Sequence, residues 1–448
     1  MALLKMAETH LAAGRATEAL AVLQKAIQIT PEDAAIYTMM AGALRADGQN
    51  SAANEAELAA IALTQHSALL FYNLGTLYMM TQRPALAIQW FRLALRIDTE
   101  MVAAHQNVAA VLDMDGNTLE AQHHRDEAYR RQCVFLDESS SATVRTVLIL
   151  CTAGTGNTPF DYLLPQPRNR RIRWIMEYAT PAQLAEMPHY DIVFNAIGDQ
   201  DVTVATQNAV QHFLSTCEKP VLNLPGDIAH TTRDSTPSLL HGIEQILVPS
   251  TARLSVKSDL LHTEIKPPLL LRPVGSHGGR GQLRLMDTAA LESVEIGDAT
   301  ELYVSAYYDY RSDDGYYRKY RVIFIDGQLY PYHLAISEHW QVHYINADML
   351  QHQWKLDEEQ RFLAHPEQVL GIAGLQALEK VGQRMGLDYF GIDLSVMPDG
   401  RLLIFEANAT MLVHTESFYP QLKFKNPYIQ KIIDAFEALL AKRTAHHA

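Results

Sequence analysis

Cysteine and long apolar runs are both scarce in this chain. Only three cysteines occur, Cys133, Cys151 and Cys217, and their spacing matches neither a disulfide framework nor a cysteine-based metal site. We therefore expect a reducing, cytoplasmic environment. No apolar run approaches the roughly 20 residues that span a bilayer, and residues 1–20 lack the apolar block of a signal peptide. A membrane partner is not expected.

The chain also lacks an excess of positive charge. It has 37 Lys and Arg against 51 Asp and Glu, which gives a formal net charge of -14. This balance argues against nucleic acid as the main partner, although a small basic pocket is compatible with the total. The 448 residues are 48% hydrophobic and 20% charged, which favours a globular protein with two or three cores.

Internal repetition dominates the first third of the chain. At intervals of 34 residues small side chains fall into columns, one of which holds Ala19, Ala53, Ala87 and Ala121. Small side chains at fixed positions let paired helices approach closely. The pattern, with "FYNLGTLY" at residues 71–78, resembles the tetratricopeptide repeat (TPR) in about four copies. The resemblance implies a helical solenoid that binds a peptide or partner protein, while a structural or homo-oligomeric use stays open.

Strands alternate with helices after a polar stretch around residues 137–144. Apolar runs such as Thr146–Cys151 precede Gly-rich or helical segments, an order that predicts a parallel α/β sheet. The turn with Gly154 and Gly156 has neither the G-x-G-x-x-G nor the P-loop spacing. Its glycines are compatible with substrate contact and with simple turns.

A Gly-rich loop follows an apolar strand in residues 267–285. Its glycines permit backbone N–H groups to close around an anion, and Arg272 and Arg280 supply positive charge. Further on, "LYVSAYY" is an aromatic strand against which a purine can lie. Arg318 and Arg321 enter a hairpin from which they could reach phosphates bound by the Gly-rich loop. A flexible hairpin and surface arginines are the structural alternatives.

Three oxygen-bearing residues interrupt two apolar runs that flank a Pro-Asp-Gly turn. They are Asp393 on the first run and Glu406 with Asn408 on the second. Glu406 and Asn408 are two residues apart and therefore share a face of their strand. Because clustered buried carboxylates repel, a divalent cation is expected, and hard oxygen ligands suit Mg²⁺. Carboxylates facing solvent at a sheet edge are the alternative.

The order of these parts resembles the ATP-grasp superfamily, especially its carboxylate–amine ligases, over about residues 145–440. Together with the repeat resemblance, this implies an all-α TPR solenoid at 1–136, an α/β pre-ATP-grasp domain at 145–232 and an α+β ATP-grasp domain at 233–448. It also implies ATP and Mg²⁺, with two ions. Two departures matter, because Arg272 stands where the family has a lysine and the segment "TTRDSTP" offers only Arg233 for a second one.

Site residues follow from the same resemblance. Asp393, Glu406 and Asn408 would hold metal, and Arg272, Arg280 and Arg321 would act on the transferring phosphoryl group. The residues expected to contact ATP are Arg272, Ser276, His277, Gly278, Gly279, Gly281, Ser305, Ala306, Tyr307, Arg318 and Arg321. Four histidines are assigned to the substrates: His333, His339, His343 and His414. For the first three, ordinary packing and a metal site stay open.

The resulting hypothesis is an ADP-forming ligase. It activates a carboxylate as an acylphosphate and joins it to an amine, on small molecules or on a peptide or protein held by the repeats. The alternative is a TPR adaptor whose nucleotide-binding domain senses ATP without turnover. A phosphotransferase on the same fold is a third hypothesis.

Overall fold

The structure is a computed structural model that describes residues 2–137, 145–166, 168–255, 263–276, 278–294 and 301–445. His277 and nearly all of the polar stretch at 137–144 lie outside these ranges. The chain divides into two compact units, Met1–Cys133 and Val134–Ala448. Residues 134–136, which were grouped with the repeats above, form a strand of the second unit. The division proposed at residue 232 stays a prediction.

The first unit consists of helices arranged as consecutive antiparallel pairs. The helices are α1 (Ala2–Ala12), α2 (Ala16–Ile29), α3 (Ala34–Ala46), α4 (Asn50–Gln65), α5 (Ala68–Met80), α6 (Pro84–Ile97), α7 (Val102–Met114) and α8 (Thr118–Tyr129). The alanine column of the repeat is fully buried at all four positions. Gly75 shows why such residues must be small, because a Cβ there would lie 2.6 Å from the Phe91 ring. The predicted helical repeats are confirmed.

The first sheet of the second unit is mainly parallel, in the order β1-β3-β2-β4-β5. Its strands are β1 (Val134–Leu136), β2 (Arg145–Cys151), β3 (Asn169–Ile175), β4 (Ile192–Asn195) and β5 (Val221–Leu222). Only β1 runs antiparallel to its neighbour. Short helices connect the strands or follow the last one: α9 (Pro181–Ala185), α10 (Gln207–Leu214), α11 (Pro225–Ile228) and α12 (Ser235–Leu240). The apolar runs therefore form the predicted α/β arrangement.

Two further sheets, in which antiparallel pairs prevail, hold the rest of the chain. One has the order β7-β10-β8-β9 and the other the order β12-β11-β13-β14-β6. The strands are β6 (Ile246–Leu247), β7 (Thr251–Leu254), β8 (Leu269–Pro273), β9 (Leu283–Leu285), β10 (Leu302–Ala306), β11 (Tyr317–Ile325), β12 (Gln328–Ser337), β13 (Tyr389–Val396) and β14 (Leu402–Asn408). The helices are α13 (Thr288–Ser293), α14 (Gln353–Ala364), α15 (Pro366–Met385) and α16 (Asn426–Ala445).

The main core of the second unit lies between the β11–β14 strands and helices α14 and α15. Phe324 and Phe390, on adjacent strands, stack with ring centroids 4.7 Å apart. This core fixes β11, β13 and β14 as a rigid floor for the charged residues described next. Among the helices of the described residues, none is long and apolar enough to cross a membrane.

Candidate active site

A row of charged side chains crosses three neighbouring strands. Asp393 on β13 pairs with Arg321 on β11 and with Glu406 on β14. Residues directly opposite one another in antiparallel strands place their side chains on the same face. Lys319 lies two residues before Arg321 and therefore shares that face. The sheet thus brings two cations together with two carboxylates that lie more than seventy residues further along the chain.

A bulge in β14 is responsible for the match between the two carboxylates. Next to the turn, Val396 pairs with Leu402 and Leu394 pairs with Ile404. If this register continued, Phe405 would lie opposite Asp393. The register shifts at this point, and Glu406 pairs with Asp393 instead. Phe405 packs against the Tyr310 ring at a centroid distance of 4.8 Å. The turn alone therefore does not bring the predicted ligands together.

Asp393 is a buried carboxylate held by two cations. It is 1% exposed, and Arg321 binds it in a bidentate manner through Nε at 2.6 Å and Nη2 at 2.9 Å. The Lys319 Nζ atom lies 3.1 Å from its Oδ2 atom. Burial alone would raise the pKa of Asp393, but Arg321 and Lys319 outweigh burial and hold that pKa well below its usual range. The group is therefore ionised.

Glu406 is the more accessible of the two carboxylates. Arg233 binds its Oε2 atom directly, and the Arg272 Nη1 atom lies 4.0 Å from the same oxygen. Burial and the Asp393 charge oppose ionisation, but the neighbouring cations, Arg233 first, lower the pKa of Glu406 to about 2. Both carboxylates can thus act as oxygen ligands without losing a proton first.

Arg272 connects this row to the Gly-rich loop. Its side chain is 9% exposed, and its Nε donates to the Ser276 hydroxyl at 3.1 Å, while Nη2 donates to the Ser276 carbonyl. Burial, reinforced by the Arg233 charge, lowers the pKa of Arg272 to about 10. The guanidinium therefore stays protonated at neutral pH.

Asn408, the third predicted ligand, has its oxygen engaged locally. The Oδ1 atom accepts hydrogen bonds from the backbone N–H and the hydroxyl of Thr410, both at 2.6 Å. A carbonyl oxygen has two lone pairs, and both are used here. Two ionised carboxylates suit a divalent cation, but their arginine and lysine partners would have to give way to it, as Thr410 would at Asn408.

A cavity of 410 Å³ opens above this row of charges, a size suited to a small-molecule ligand. Strands β8 and β10 bound it on one side and β13 and β14 on another. The predicted residues that line it are Arg272, Gly278, Gly279, Ser305, Ala306, Tyr307, Arg321, His343, Asp393, Glu406 and Asn408. An adjoining cavity of 40 Å³ shares Arg233, Arg272, Glu406 and Asn408 with the first and adds Ser276.

One wall of the larger cavity is aromatic. Tyr307, Tyr308, Tyr310 and Trp340 line it. The Tyr307 and Trp340 rings meet edge to face at 6.0 Å. Hydroxyl groups add polarity nearby, since Ser305 and Thr251 are bonded to each other at 2.8 Å. A flat apolar ring system could lie here while anionic groups meet the cations at the other end.

Arg318 does not reach this cavity. It neighbours Lys319 on β11, so its side chain lies on the opposite face of the strand. There it binds Glu358 at 2.5 Å and Asp314 at 2.7 Å. Arg280 and Gly281 are exposed and line neither cavity. The predicted phosphate contact of Arg318 is therefore not supported by its position, because the strand period assigns it to the other side.

The four predicted substrate histidines lie at different places in the fold and do not form one site. His333 is buried beside the Tyr344 ring at 5.3 Å, and burial holds its pKa well below the usual range. His339 is exposed, and His414 lies near Tyr162, outside both cavities. Only His343 lines the larger one. Within the described ranges, no three His, Cys, Asp or Glu side chains gather to hold a metal, so the histidine metal alternative has no support.

Two cationic side chains of the site, Lys319 and Arg233, are absent from the set of site residues predicted from the sequence. Lys319 was passed over although its position two residues before Arg321 indicates the shared face. Arg233 was noted only as a departure from the family, yet it binds Glu406. Gln341 and Trp340 also line the cavity. No short-range pattern marks them, because they reach it through a loop that follows β12.

Comparisons with known proteins concern both parts of the chain. Family models described as tetratricopeptide repeat match residues 1–43 and 68–100. No similar protein is found among the curated sequences.

Solved structures similar to the chain include several ligases. One is the VanG D-Ala:D-Ser ligase from Enterococcus faecalis, 12% identical over 65% of this chain and 99% of that one, with a TM-score of 0.39. The macrocyclase MdnC from Microcystis aeruginosa, bound with its precursor peptide MdnA, is 12% identical over 66% and 99%, with a TM-score of 0.40.

The ATP-grasp ligase PsnB, complexed with a minimal precursor, Mg and ADP, is 15% identical over 65% and 98%, with a TM-score of 0.37. The family-model matches lie in the part of the chain whose sequence resembles the tetratricopeptide repeat.

Proposed function

We propose that the protein is an ATP-dependent, ADP-forming ligase that activates a carboxylate as an acylphosphate and joins it to an amine. The observation that carries the proposal is the charge balance at the floor of the larger cavity, where the row of charged side chains lies. Four cations, Arg233, Arg272, Lys319 and Arg321, surround two ionised carboxylates, Asp393 and Glu406. The excess of positive charge suits the phosphates of a nucleotide, and the aromatic wall suits its base.

Mg²⁺ fits the same floor. Asp393 and Glu406 would hold it, with Asn408 as a further oxygen ligand once Thr410 is released. When bound, the ion neutralises charge on the β- and γ-phosphates. The guanidinium and ammonium groups that now face the two carboxylates would supply positive charge to the phosphate oxygens.

The proposed reaction has two steps. A carboxylate oxygen of the acyl substrate attacks the γ-phosphorus of ATP, the bond from that phosphorus to the β–γ bridging oxygen breaks, and ADP leaves. The amine nitrogen then attacks the carbonyl carbon of the acylphosphate, and inorganic phosphate leaves with the electron pair of the broken C–O bond. The amine proton passes to phosphate or solvent.

Charge stabilisation is the contribution of this chain's residues to both steps. Lys319 and Arg321 bind the transferring phosphoryl group from the β11 side, and Arg233 and Arg272 bind it from the β14 side. We assign the acyl carboxylate to the adjoining 40 Å³ cavity, because Arg233 and Arg272 line that cavity as well as the larger one. A peptide or protein held by the TPR region is the favoured carrier of the carboxylate or the amine.

One specific observation favours the second candidate, a nucleotide-sensing adaptor. Both carboxylates are already neutralised by arginine, Asp393 by Arg321 and Glu406 by Arg233. A nucleotide could bind to such a site without a metal and without turnover.

A turnover assay separates the two candidates. The full chain is incubated with Mg·ATP and a pool of amino acids and peptides, and the release of ADP and phosphate is measured. The ligase reaction predicts release that depends on the pool and falls at least 100-fold in Asp393→Asn. Asp399→Asn, in the exposed turn between β13 and β14, is the matched control. ATP binding with no release from any pool would favour the sensor.

A further inference from the structure

The loop of residues 338–343, here called the strap, contains two of the four predicted substrate histidines, His339 and His343, which the proposed chemistry leaves unused. It follows β12, and its last four residues, Trp340 to His343, line the larger cavity. The strap therefore lines the cavity that we assign to the nucleotide. Its contacts indicate what it does there.

The strap is anchored by its tryptophan. The Arg284 guanidinium, on β9, lies 4.9 Å from the Trp340 ring centroid and 5.0 Å from that of Tyr307. Arg284 also donates to the Tyr307 hydroxyl at 2.9 Å. The Tyr310 hydroxyl donates to the Trp340 carbonyl. A strap held from two sides presents the next residue, Gln341, in a fixed position.

Gln341 reaches the part of the Gly-rich loop that comprises residues 278–282, which is meant by the loop below. Its Nε2 atom donates to the Gly279 carbonyl at 3.0 Å. The same carbonyl accepts from the Gln282 N–H at 3.1 Å, the bond that closes the turn over residues 279–282. One oxygen therefore joins the turn of the loop to the strap, across 62 residues of sequence.

The close approach of strap and loop explains the glycine at position 279. Its φ is 73°, in the left-handed region. A Cβ there would lie 2.4 Å from Gln341 Nε2 and 2.8 Å from His343 Nε2. The backbone conformation favours glycine, and a side chain at position 279 would push Gln341 and His343 away from the loop.

We propose that Gln341 is a positioning residue, which holds the Gly-rich loop over the cavity before a ligand arrives. The inference rests on the proposed function only for the ligand, a nucleoside triphosphate. A loop that is already ordered loses less conformational freedom on binding, so the ligand binds more tightly. Removing the bond should weaken nucleotide binding about five- to tenfold, as expected for one net hydrogen bond.

The test compares Gln341→Ala with Gln341→Glu, which keeps the size but replaces the donor with a carboxylate. Gln351→Ala is the control, because Gln351 is an exposed glutamine bonded locally to Asp348. Amide hydrogen exchange of residues 278–282 is measured in the full, ligand-free chain. A non-hydrolysable ATP analogue with Mg²⁺ is then titrated by calorimetry. Exchange should become about tenfold faster, and the Kd should rise five- to tenfold, in both Gln341 variants and not in the control.

The outcomes distinguish this inference from the proposed function. Unchanged exchange in the Gln341 variants, or the same change in the Gln351 control, overturns the role of Gln341. If the wild-type chain binds no nucleotide but exchange responds as expected, the positioning role stands and the proposed function falls. A lower kcat with unchanged KM for ATP in Gln341→Ala would also contradict the inference, because a positioning residue of the binding loop acts mainly on KM.

Discussion

Two neighbouring residues on β11 have different surroundings. Lys319 faces Asp393 and the cavity, whereas Arg318 binds Glu358 and Asp314 on the other face. The family resemblance leads one to look for lysines before the Gly-rich loop, where this chain has arginine. Lys319 supplies a compact ammonium in the cavity from another strand, and Arg272 and Arg233 supply planar guanidinium groups, whose donor geometry differs from that of an ammonium.

Lys319→Met should reduce nucleotide affinity without reducing stability by a comparable amount. The substitution removes one of the two cations at Asp393 and one phosphate contact, so we expect a Kd for Mg·ATP analogue at least tenfold higher by calorimetry. Lys319→Arg should restore part of the loss. An unchanged Kd in Lys319→Met would show that Lys319 is only a partner of Asp393.

Arg318→Met should reduce the stability of the fold and leave nucleotide affinity nearly unchanged. Arg318 is a largely buried arginine that binds two carboxylates, and its removal leaves Glu358 without its partner. We expect the free energy of unfolding to fall by about 1–3 kcal/mol and the nucleotide Kd to change less than twofold. Chemical denaturation and calorimetry on the same preparation check both values. A large rise in Kd would mean that the sequence-based assignment of Arg318 to ATP was correct.

Acid should destabilise the metal-free protein through Glu406. Its pKa is lowered from the ordinary 4.5 to about 2, so the unfolded state binds the proton more readily than the folded state. Stability from this group is therefore present above about pH 4.5 and is lost as the pH falls toward 2. Denaturation in EDTA across that range should show a smaller loss for Glu406→Gln than for wild type. If the free energy of unfolding fell with pH by the same amount in both proteins, the lowered pKa of Glu406 would not be the cause of the acid sensitivity.

At the scale of elements, the sequence predicted most of the strands, the repeats and the β13–β14 hairpin. It did so because each has a local signal, either a short apolar run, a 34-residue spacing or a Pro-Asp-Gly turn. The bulge at Phe405 has no such signal, since its register is decided by pairing with β13. The contact of Gln341 with Gly279 and the separate positions of His333, His339 and His414 likewise depend on tertiary packing.

Asn223 connects two sheets of the second unit and should be essential to their stability. It follows β5 with φ of 57°, and its side chain bonds both the N–H and the carbonyl of Tyr389, at 2.9 and 2.8 Å. Asn223→Ala leaves two buried backbone groups unpaired and places alanine in the left-handed region. We expect a loss of about 2–4 kcal/mol in the free energy of unfolding. Denaturant titration of the full chain measures it, and a loss below 1 kcal/mol would contradict this account.

Gln82 has an unfavourable backbone conformation in the turn between α5 and α6. The residues between the helices of each pair, Gly14, Gly48, Gln82 and Gly116, have φ of 69°, 81°, 59° and 77°. Gln82 alone of these carries a side chain in that region, so Gln82→Gly should stabilise α5 and α6 by about 1 kcal/mol. Hydrogen exchange of the two helices should slow accordingly. Gly48→Gln is the reverse experiment, and it should accelerate exchange in α3 and α4.

At the scale of the whole molecule, the division at Cys133 and Val134 separates two self-contained cores. All residues of the charged floor, the aromatic wall and the strap belong to the second unit, and β1 completes its first sheet. The second unit therefore has what the proposed nucleotide chemistry requires. We propose that the repeats capture a peptide or protein.

A truncated chain that begins at Val134 should separate these contributions. It should fold and bind a Mg·ATP analogue with a Kd within twofold of the full chain, because every cavity residue is retained. If the repeats capture the substrate, the truncation should raise the KM for a peptide substrate at least tenfold and leave kcat unchanged, since only ground-state binding is lost. An equal KM in both chains would show that the repeats do not hold the substrate. A fold that survives with no nucleotide binding would instead place part of the site in the first unit.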